Sequence, residues 1–136
     1  MSKVFVFDTN SLVSAALFSS STNRIALDKA IDLGTLAISN PTFDELIDVI
    51  FRKKFDKYFI DENERWLLIN KVEVNSTLFE VTSIITDCRD LKDNKFLELA
   101  IDSKAVCIVS GDTDLLILHL FKNIPILNAV DFIKQF

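Results

Sequence analysis

Short, unbroken apolar runs alternate along this chain with stretches of helical spacing. Residues 3–8 are rich in Val and Phe and stop abruptly at a polar residue, which is typical of a buried strand. Residues 106–110 have the same character and predict a second such strand. Three shorter runs are also predicted to be strands, at residues 36–39, at 79–82, and at 124–127 as an edge strand in which proline is tolerated.

Helices are predicted between these runs. The dipeptide Asn40-Pro41 predicts a cap followed by a proline at the first helical position, and apolar residues follow it at helical spacing: Phe43, Leu46, Ile47, Ile50 and Phe51. Further helices are predicted from Asn10 or Ser11, from a cap at Ser21 or Thr22 to Gly34, from the acidic residues 61–64, over residues 90–104, after Asp112, and over residues 129–136. Alternating strands and helices favour an α/β fold with a parallel sheet covered on both faces.

Length and composition favour one domain over residues 1–136. The chain has 136 residues, of which 49% are hydrophobic, enough for a substantial core. The longest apolar runs, about seven residues, are well short of the ~20 that cross a bilayer. No signal-peptide core precedes Asp8, so we expect a cytoplasmic protein. Cys88 and Cys107 belong to no CxxC pattern and are expected to be buried thiols.

The charge balance argues against a general phosphate-binding surface. Fifteen Lys and Arg oppose twenty Asp and Glu, which gives a net charge of −5. Nucleic acid would therefore need a local basic patch, and residues 52–58 offer one that includes aromatic residues and four cations: Arg52, Lys53, Lys54 and Lys57. Two interpretations remain open for this segment, namely the solvated end of a helix or a contact with RNA or a partner.

Three carboxylates are predicted to meet at one edge of the sheet. Asp8 closes the first strand, Asp112 follows the strand at 106–110, and Asp93 lies where a helix starts at the same edge. Neighbouring carboxylates repel by roughly 1 kcal/mol per pair in water and about 4 kcal/mol near a protein surface. We expect no Lys or Arg to neutralise them. All-oxygen ligands then indicate Mg²⁺ or Mn²⁺, which can activate water for phosphodiester hydrolysis.

Each acidic residue also has a purely structural interpretation: helix capping for Asp93 and Asp112, a turn for Asp8, and solvent exposure for Glu45. Helical phase does not select Glu45, since it points away from the apolar stripe of its helix. Asp44 and Asp48 are its competitors.

Four segments resemble the PIN-domain family of metal-dependent nucleases, named from the PilT N-terminus. They are residues 6–10 (Val-Phe-Asp-Thr-Asn), 43–46 (Phe-Asp-Glu-Leu), 88–100, which begin Cys-Arg-Asp, and 109–116, which contain Gly-Asp-Thr-Asp-Leu-Leu. Their order and spacing agree with the family over nearly the whole chain. The Cys-Arg-Asp and Gly-Asp-x-Asp-Leu-Leu segments resemble in particular the bacterial branch of toxin components of toxin–antitoxin systems.

The resemblance implies a specific site. Its acidic quartet falls on Asp8, Glu45, Asp93 and Asp112, with Asp114 as a fifth carboxylate ligand and Asn10 and Ser110 as supporting polar groups. It also implies a three-layer α/β/α fold with a central parallel sheet of four or five strands. The expected cofactor is Mg²⁺ or Mn²⁺ and the expected substrate is RNA. A cognate antitoxin and a second copy of the chain, in a homodimer or higher oligomer, are the expected protein partners.

Competing motifs are absent from the sequence. A haloacid-dehalogenase phosphatase needs a second Asp two residues after the first, where this chain has Asn10. Gly34 and Gly111 are the only glycines, which excludes a glycine-rich nucleotide loop. His119, the sole histidine, lies in an apolar stretch and is expected to be structural. We therefore expect a metal-dependent endoribonuclease that cleaves single-stranded RNA as a toxin, with a catalytically silent PIN-fold module that binds RNA or protein as the alternative.

Overall fold

The computed structural model describes residues 3–136 and has a sheet of parallel strands at its centre. The strands are β1 (Lys3–Phe7), β2 (Gly34–Ile38), β3 (Ser76–Leu78), β4 (Cys107–Val109) and β5 (Ile126–Leu127). Their order across the sheet is β3-β2-β1-β4-β5. The predicted parallel sheet is confirmed, and β5 lies at an edge as expected for a strand that follows Pro125.

Helices connect the strands and cover them. They are α1 (Thr9–Leu17), α2 (Thr22–Leu33), α3 (Asn40–Ile50), α4 (Glu62–Val74), α5 (Asn94–Ser103), α6 (Thr113–Leu116) and α7 (Ala129–Gln135). Two 3-10 helices, Lys53–Tyr58 and Leu91–Asp93, lie before α4 and α5. Within residues 3–136, none of the helices combines the length and apolar content that crossing a bilayer requires.

Alternate residues of β1 face opposite layers of the fold. Phe5 and Phe7 belong to a buried cluster with residues of α1, α2, α3, α4 and α7. Val6 belongs to a second buried cluster, formed with α5 and α6. Because successive side chains of a strand point to opposite faces, β1 contributes to both clusters. The three-layer α/β/α arrangement is confirmed.

Gly34 ends α2 as predicted, for a reason the sequence pattern does not show. Its φ of −176° is extended and not left-handed. It is also the first residue of β2 and pairs with Lys3 of β1. A Cβ at this position would lie 1.9 Å from the Lys3 carbonyl oxygen, so the close approach of the two strands requires glycine.

The predicted strand at residues 79–82 is wrong. The last sheet bond on this side runs from the Phe79 N–H to the Ile38 carbonyl (2.8 Å), and β3 ends before it. Beyond that point Asp102 on α5 accepts from the N–H groups of Thr82 and Ser83, and Glu98 on the same helix accepts from the Ile85 N–H. The segment is therefore held by a helix instead of by a neighbouring strand.

The predicted cap of α3 is displaced by one residue. Ser39 is the N-cap, Asn40 is already helical and Pro41 follows it. The Ser39 hydroxyl accepts from the Thr42 N–H (3.4 Å), and the Thr42 hydroxyl accepts from the Ser39 N–H (2.9 Å). This reciprocal pair satisfies two N–H groups, which a cap at Asn40 would not do.

The cysteines and the histidine have structural roles, as predicted. Cys88 and Cys107 are both buried and unpaired with each other. Burial raises the pKa of Cys107 to about 12, so this thiol stays protonated at neutral pH. His119 accepts a hydrogen bond at Nδ1 from the Ile126 N–H (3.0 Å), which fixes β5 to the chain before it.

Candidate metal centre

Asp8 lies at the junction of β1 and α1 and is buried. Its Oδ1 accepts from the Ser11 N–H (2.9 Å), which caps α1, and its Oδ2 accepts from the Ser110 hydroxyl (2.5 Å). Burial raises the pKa of Asp8; the hydrogen bonds from Ser11 and Ser110 oppose this, and the charge of Asp112 adds to it. Asp8 therefore occupies a turn and also faces a second carboxylate.

Asp112 lies at the corresponding end of β4, the neighbour of β1 in the sheet. It caps α6, because its Oδ1 accepts from the Asp114 N–H (2.8 Å). The Asp112 N–H donates to the Ser110 hydroxyl (3.0 Å), and that hydroxyl donates to Asp8. The fully buried Ser110 thus links the two strand-end carboxylates.

Asp93 ends the 3-10 helix Leu91–Asp93, and α5 starts only at Asn94. The predicted helix start at Asp90 is therefore wrong: Asp90 caps the 3-10 turn, through the Lys92 N–H (3.1 Å). The Asp93 side chain makes no capping hydrogen bond, and its Oδ2 is buried without a hydrogen-bond partner in residues 3–136. Burial, followed by the nearby Asp112, raises the pKa of Asp93 to about 7. Helix capping does not account for this residue.

Glu45 extends from α3 and contacts neighbouring polar groups instead of facing open solvent. Its Oε2 accepts from the Thr9 hydroxyl (2.6 Å), and its Oε1 lies 3.3 Å from Lys95 Nζ. The competing residues on the same helix point elsewhere: Asp44 is exposed, and Asp48 forms an exposed ion pair with Arg52.

One cleft of about 190 Å³ brings these residues together. Its lining comprises Asp8, Thr9, Asn10, Glu45, Val49, Arg52, Asp90, Lys92, Asp93, Phe96 and Asp112. All four members of the expected acidic quartet are present. Asp114, expected as a fifth ligand, is not part of this lining; its carbonyl accepts from the Cys88 thiol (3.6 Å).

The expectation that no Lys or Arg lies near these carboxylates is wrong. Lys95 pairs with Glu45, and Arg52 and Lys92 line the cleft. Within residues 3–136, Lys92 Nζ has no carboxylate oxygen within 4 Å. Its place beside Asp93 in the sequence is a signal that could have identified it.

Two further residues that the sequence analysis missed hold the site in place. The Thr9 hydroxyl fixes Glu45, and Thr9 belongs to the segment at residues 6–10 that resembles the PIN-domain family. Asn94 is buried, and its Oδ1 accepts from the Cys88 N–H (2.8 Å), which ties the preceding loop to the start of α5. No sequence signal identifies Asn94, because its partner is a main-chain group.

The basic segment, defined as residues 52–58, reaches the cleft through its first residue. It consists of Arg52 and the 3-10 helix Lys53–Tyr58, and only Arg52 among its four cations lines the cleft. Lys53, Lys54 and Lys57 are exposed. Both interpretations of these three lysines, solvated helix end and RNA or partner contact, therefore stay predictions.

The residues of the cleft fit a hard divalent cation. Within residues 3–136 no three acidic, His or Cys side chains are already drawn together as a metal site. The buried, unpartnered Asp93 Oδ2 and the raised pKa values of Asp8 and Asp93 nevertheless indicate uncompensated carboxylates, which a cation would stabilise. The donors are oxygens, and the cleft has room for the several waters that Mg²⁺ retains, at ~30 Å³ each.

Comparison with known proteins shows related sequences and folds. A family model described as "PIN domain" matches residues 4–114. An uncharacterized protein, MJ1680 of Methanocaldococcus jannaschii, is 29% identical over 117 residues, which are 84% of this chain and 74% of that protein. PAE2754 from Pyrobaculum aerophilum is similar in structure, with a TM-score of 0.65 and 18% identity over 98% of this chain and 96% of that one. VapBC2 from Rickettsia felis, solved with a DNA fragment from its promoter, is also similar in structure. Its TM-score is 0.56 and its sequence is 16% identical, over 92% of this chain and 97% of that one.

Proposed function

Because the chain belongs to the PIN-domain family, whose members are generally nucleases, we propose that it is an endoribonuclease that uses Mg²⁺ or Mn²⁺ to cleave single-stranded RNA. The observation that carries the proposal is the convergence of Asp8, Glu45, Asp93 and Asp112 in one cleft at the carboxyl end of the parallel sheet. The similarity to VapBC2 supports a role as the toxin of a toxin–antitoxin pair.

The metal ligands in this proposal are the carboxylates of Asp8, Asp93 and Asp112, with Glu45 opposite them. Bound Mg²⁺ or Mn²⁺ would supply Lewis-acid activation of a water and neutralise charge on the phosphate. The protein contributes the orientation of the ligands. Ser110 holds Asp8 and Asp112 in register, while Thr9 and Lys95 hold the two oxygens of Glu45.

Arg52 and Lys92 have a separate role in the proposal, which is to bind the phosphates that flank the cut. Both line the cleft, and they bring positive charge into a site that would otherwise repel a polyanion. The net charge of −5 makes such local cations necessary for RNA to approach. The exposed Lys53, Lys54 and Lys57 extend this positive surface outside the cleft.

The proposed protein partners are a cognate antitoxin and a second copy of the chain. Exposed apolar side chains at the start of α4 and just before it support a protein interface there. Ile60 is 93% exposed, Trp66 50% and Leu67 67%, and these residues lie just after the basic segment in the chain.

The first prediction tests metal binding and cleavage together. We expect Mn²⁺ to bind the wild-type protein in a calorimetric titration, and cleavage of a labelled single-stranded RNA to need Mn²⁺ or Mg²⁺ and to stop in EDTA. Asp8→Asn removes one negative ligand and should weaken Mn²⁺ binding at least about tenfold. Asp44→Asn makes the same charge change on an exposed residue and should leave the affinity unchanged.

Two results would separate the alternatives. Equal Mn²⁺ affinity in wild type and Asp8→Asn contradicts the proposed metal centre. Metal and RNA binding without any cleavage would favour the catalytically silent module over the nuclease.

The second prediction concerns the cations of the cleft. RNA binding measured by fluorescence anisotropy should weaken as salt rises, because phosphate contacts release counterions. Lys92→Ala and Arg52→Ala should each weaken binding and lower the salt slope by about 1. Lys134→Ala, an exposed lysine on α7, is the matched control and should change neither quantity. An unchanged slope in both cleft variants would place the RNA path elsewhere.

A further inference from the structure

A second cavity, of about 280 Å³, lies beside the acidic cleft. Its lining comprises Asn10, Ser11, Ser14, Asn23, Gly111 and Asp112. Asn10 and Asp112 line both cavities, so the two cavities adjoin each other at one of the carboxylates. We call the second cavity the Asn23 pocket.

The Asn23 pocket differs from the cleft in charge. Among residues 3–136, Asp112 is the only charged residue that lines this pocket, whereas the cleft carries four further carboxylates together with the cations Arg52 and Lys92. A phosphate in the Asn23 pocket would meet a carboxylate without a compensating side-chain cation. A neutral ligand that can donate and accept hydrogen bonds is therefore favoured there.

The side chains that line the pocket have unused hydrogen-bonding groups. The amides of Asn10 and Asn23 make no hydrogen bond to any other group in residues 3–136, and Asn23 is half-buried at the start of α2. Asn10 and Ser14 lie one turn apart on α1, so they share a face of that helix. Each amide offers an adjacent donor and acceptor.

Gly111 keeps one wall of the pocket open. Unlike Gly34, it is not required by a close approach, because a Cβ added there would meet no atom within 4 Å. Its φ is not in the left-handed region either. The backbone conformation therefore does not require glycine at residue 111, and the missing side chain leaves space beside Asp112.

We infer that the Asn23 pocket binds the nucleobase of the nucleotide next to the phosphate that is cut, and that the Asn23 amide forms hydrogen bonds with the edge of that base. The inference rests on the proposed function, since Asp112, the carboxylate that lines both cleft and pocket, is a proposed metal ligand and defines where the phosphate lies. Arg52 and Lys92 bind the backbone on one side, and a base enters the neutral pocket on the other. On its N6/N7 edge adenine presents an adjacent donor and acceptor, with which an Asn amide pairs, whereas the same edge of guanine presents two acceptors; adenine is therefore the base expected.

A binding experiment tests the pocket without any need for cleavage. The full chain, labelled with ¹⁵N, is titrated with the four nucleoside 5′-monophosphates and with ribose 5-phosphate. Adenosine 5′-monophosphate should shift the side-chain amide signals of Asn23 and Asn10 most, and ribose 5-phosphate should not shift them. No shift with any nucleotide, or equal shifts with all four and with ribose 5-phosphate, would overturn the inference.

Variants and cleavage provide the second arm of the test. In a pool of random single-stranded RNA cut by the Mn²⁺-loaded protein, adenine should be enriched at one position next to the cut. Asn23→Ala should lower that enrichment at least threefold when it is normalised to total cleavage, and Gly111→Leu should do the same by filling the pocket. Asn70→Ala, on the exposed face of α4, is the matched control. Unchanged enrichment in both pocket variants contradicts the inference.

The two arms separate this inference from the proposed function. RNA cleavage without a base-dependent shift of the Asn23 signals would support the nuclease function and contradict base binding in the pocket. A base-dependent shift without RNA cleavage would support base binding in the pocket and contradict the nuclease function.

Discussion

Replacement of Asp93 by Asn is expected to lower RNA cleavage by roughly a thousandfold, since a lost metal ligand costs several kcal/mol of transition-state stabilisation. Asp93 is the most suitable carboxylate for this test. Its side chain makes no capping hydrogen bond to α5, and its buried Oδ2 has no partner in residues 3–136, whereas the side chains of Asp8 and Asp112 cap α1 and α6. The substitution therefore removes a proposed ligand without removing a structural hydrogen bond.

The same substitution should raise the stability of the metal-free protein at neutral and higher pH. The folded-state pKa of Asp93 is about 7, above its ordinary value of 3.8. At a pH between these two pKa values, the folded protein binds more protons at Asp93 than the unfolded chain does. The free energy of unfolding therefore falls as pH rises through this range. The destabilisation from Asp93 is absent below about pH 4 and fully present above about pH 7. Asn cannot ionise, so the variant lacks this part of the pH dependence.

Urea unfolding in EDTA at pH 4, 6 and 8, combined with a cleavage assay in Mn²⁺, measures both effects. The stability difference between Asp93→Asn and wild type should grow from pH 4 to pH 8. Asp131→Asn, an exposed residue on α7, makes the same change in net charge and should alter neither cleavage nor the pH slope. A variant that loses stability at pH 8 would show that the Asp93 carboxylate supports the fold.

The strand-end carboxylates were accessible to sequence reasoning because their positions follow from local patterns. A buried apolar run is followed by an acidic residue in two places, directly at Asp8 and after Ser110 and Gly111 at Asp112, and parallel strands bring such ends to one edge. Glu45 was not accessible in this way. Its orientation is fixed by Thr9 and Lys95, which are distant in sequence, and helical phase alone left Asp44 and Asp48 as equals.

The errors in secondary structure have different physical causes. Residues 79–82 have the apolar character of a strand, yet the N–H groups that follow are bound by carboxylates of α5. The predicted start of α5 is too early, at Asp90 instead of Asn94. The 3-10 turn that Asp90 caps has the same sequence signals as the start of an α-helix. The Asn23 pocket had no sequence signal at all, since it forms only where α1, α2 and the loop after β4 meet.

Arg65→Met is expected to destabilise the protein by about 2–4 kcal/mol, the largest stability effect of any variant considered for the fold. The Arg65 side chain is only 8% exposed. Its Nε donates to the Ile50 carbonyl (2.8 Å) at the end of α3, and its guanidinium pairs with Asp56 (2.6 Å). The guanidinium carbon also lies 4.8 Å from the centre of the Phe59 ring.

Most of this cost comes from the carbonyl and the ring, and less from the ion pair. Asp56 is 64% exposed and can return to water, whereas the Ile50 carbonyl would lose its charged donor. Arg24→Met is the matched control, because it also removes one Arg–Asp ion pair, with Asp28, but at the surface. A surface pair is worth at most about 1 kcal/mol, so urea unfolding should separate the two variants clearly.

Arg65 also connects the stability of the fold to the cleft. It joins the end of α3 to Asp56 within the basic segment, and Arg52 of that segment lines the cleft. A folded Arg65→Met protein, assayed well below its unfolding temperature, should therefore bind RNA more weakly and with a smaller salt slope, while its Mn²⁺ affinity stays at the wild-type value. If Mn²⁺ affinity fell together with RNA affinity, Arg65 would support the whole cleft and not only the basic segment.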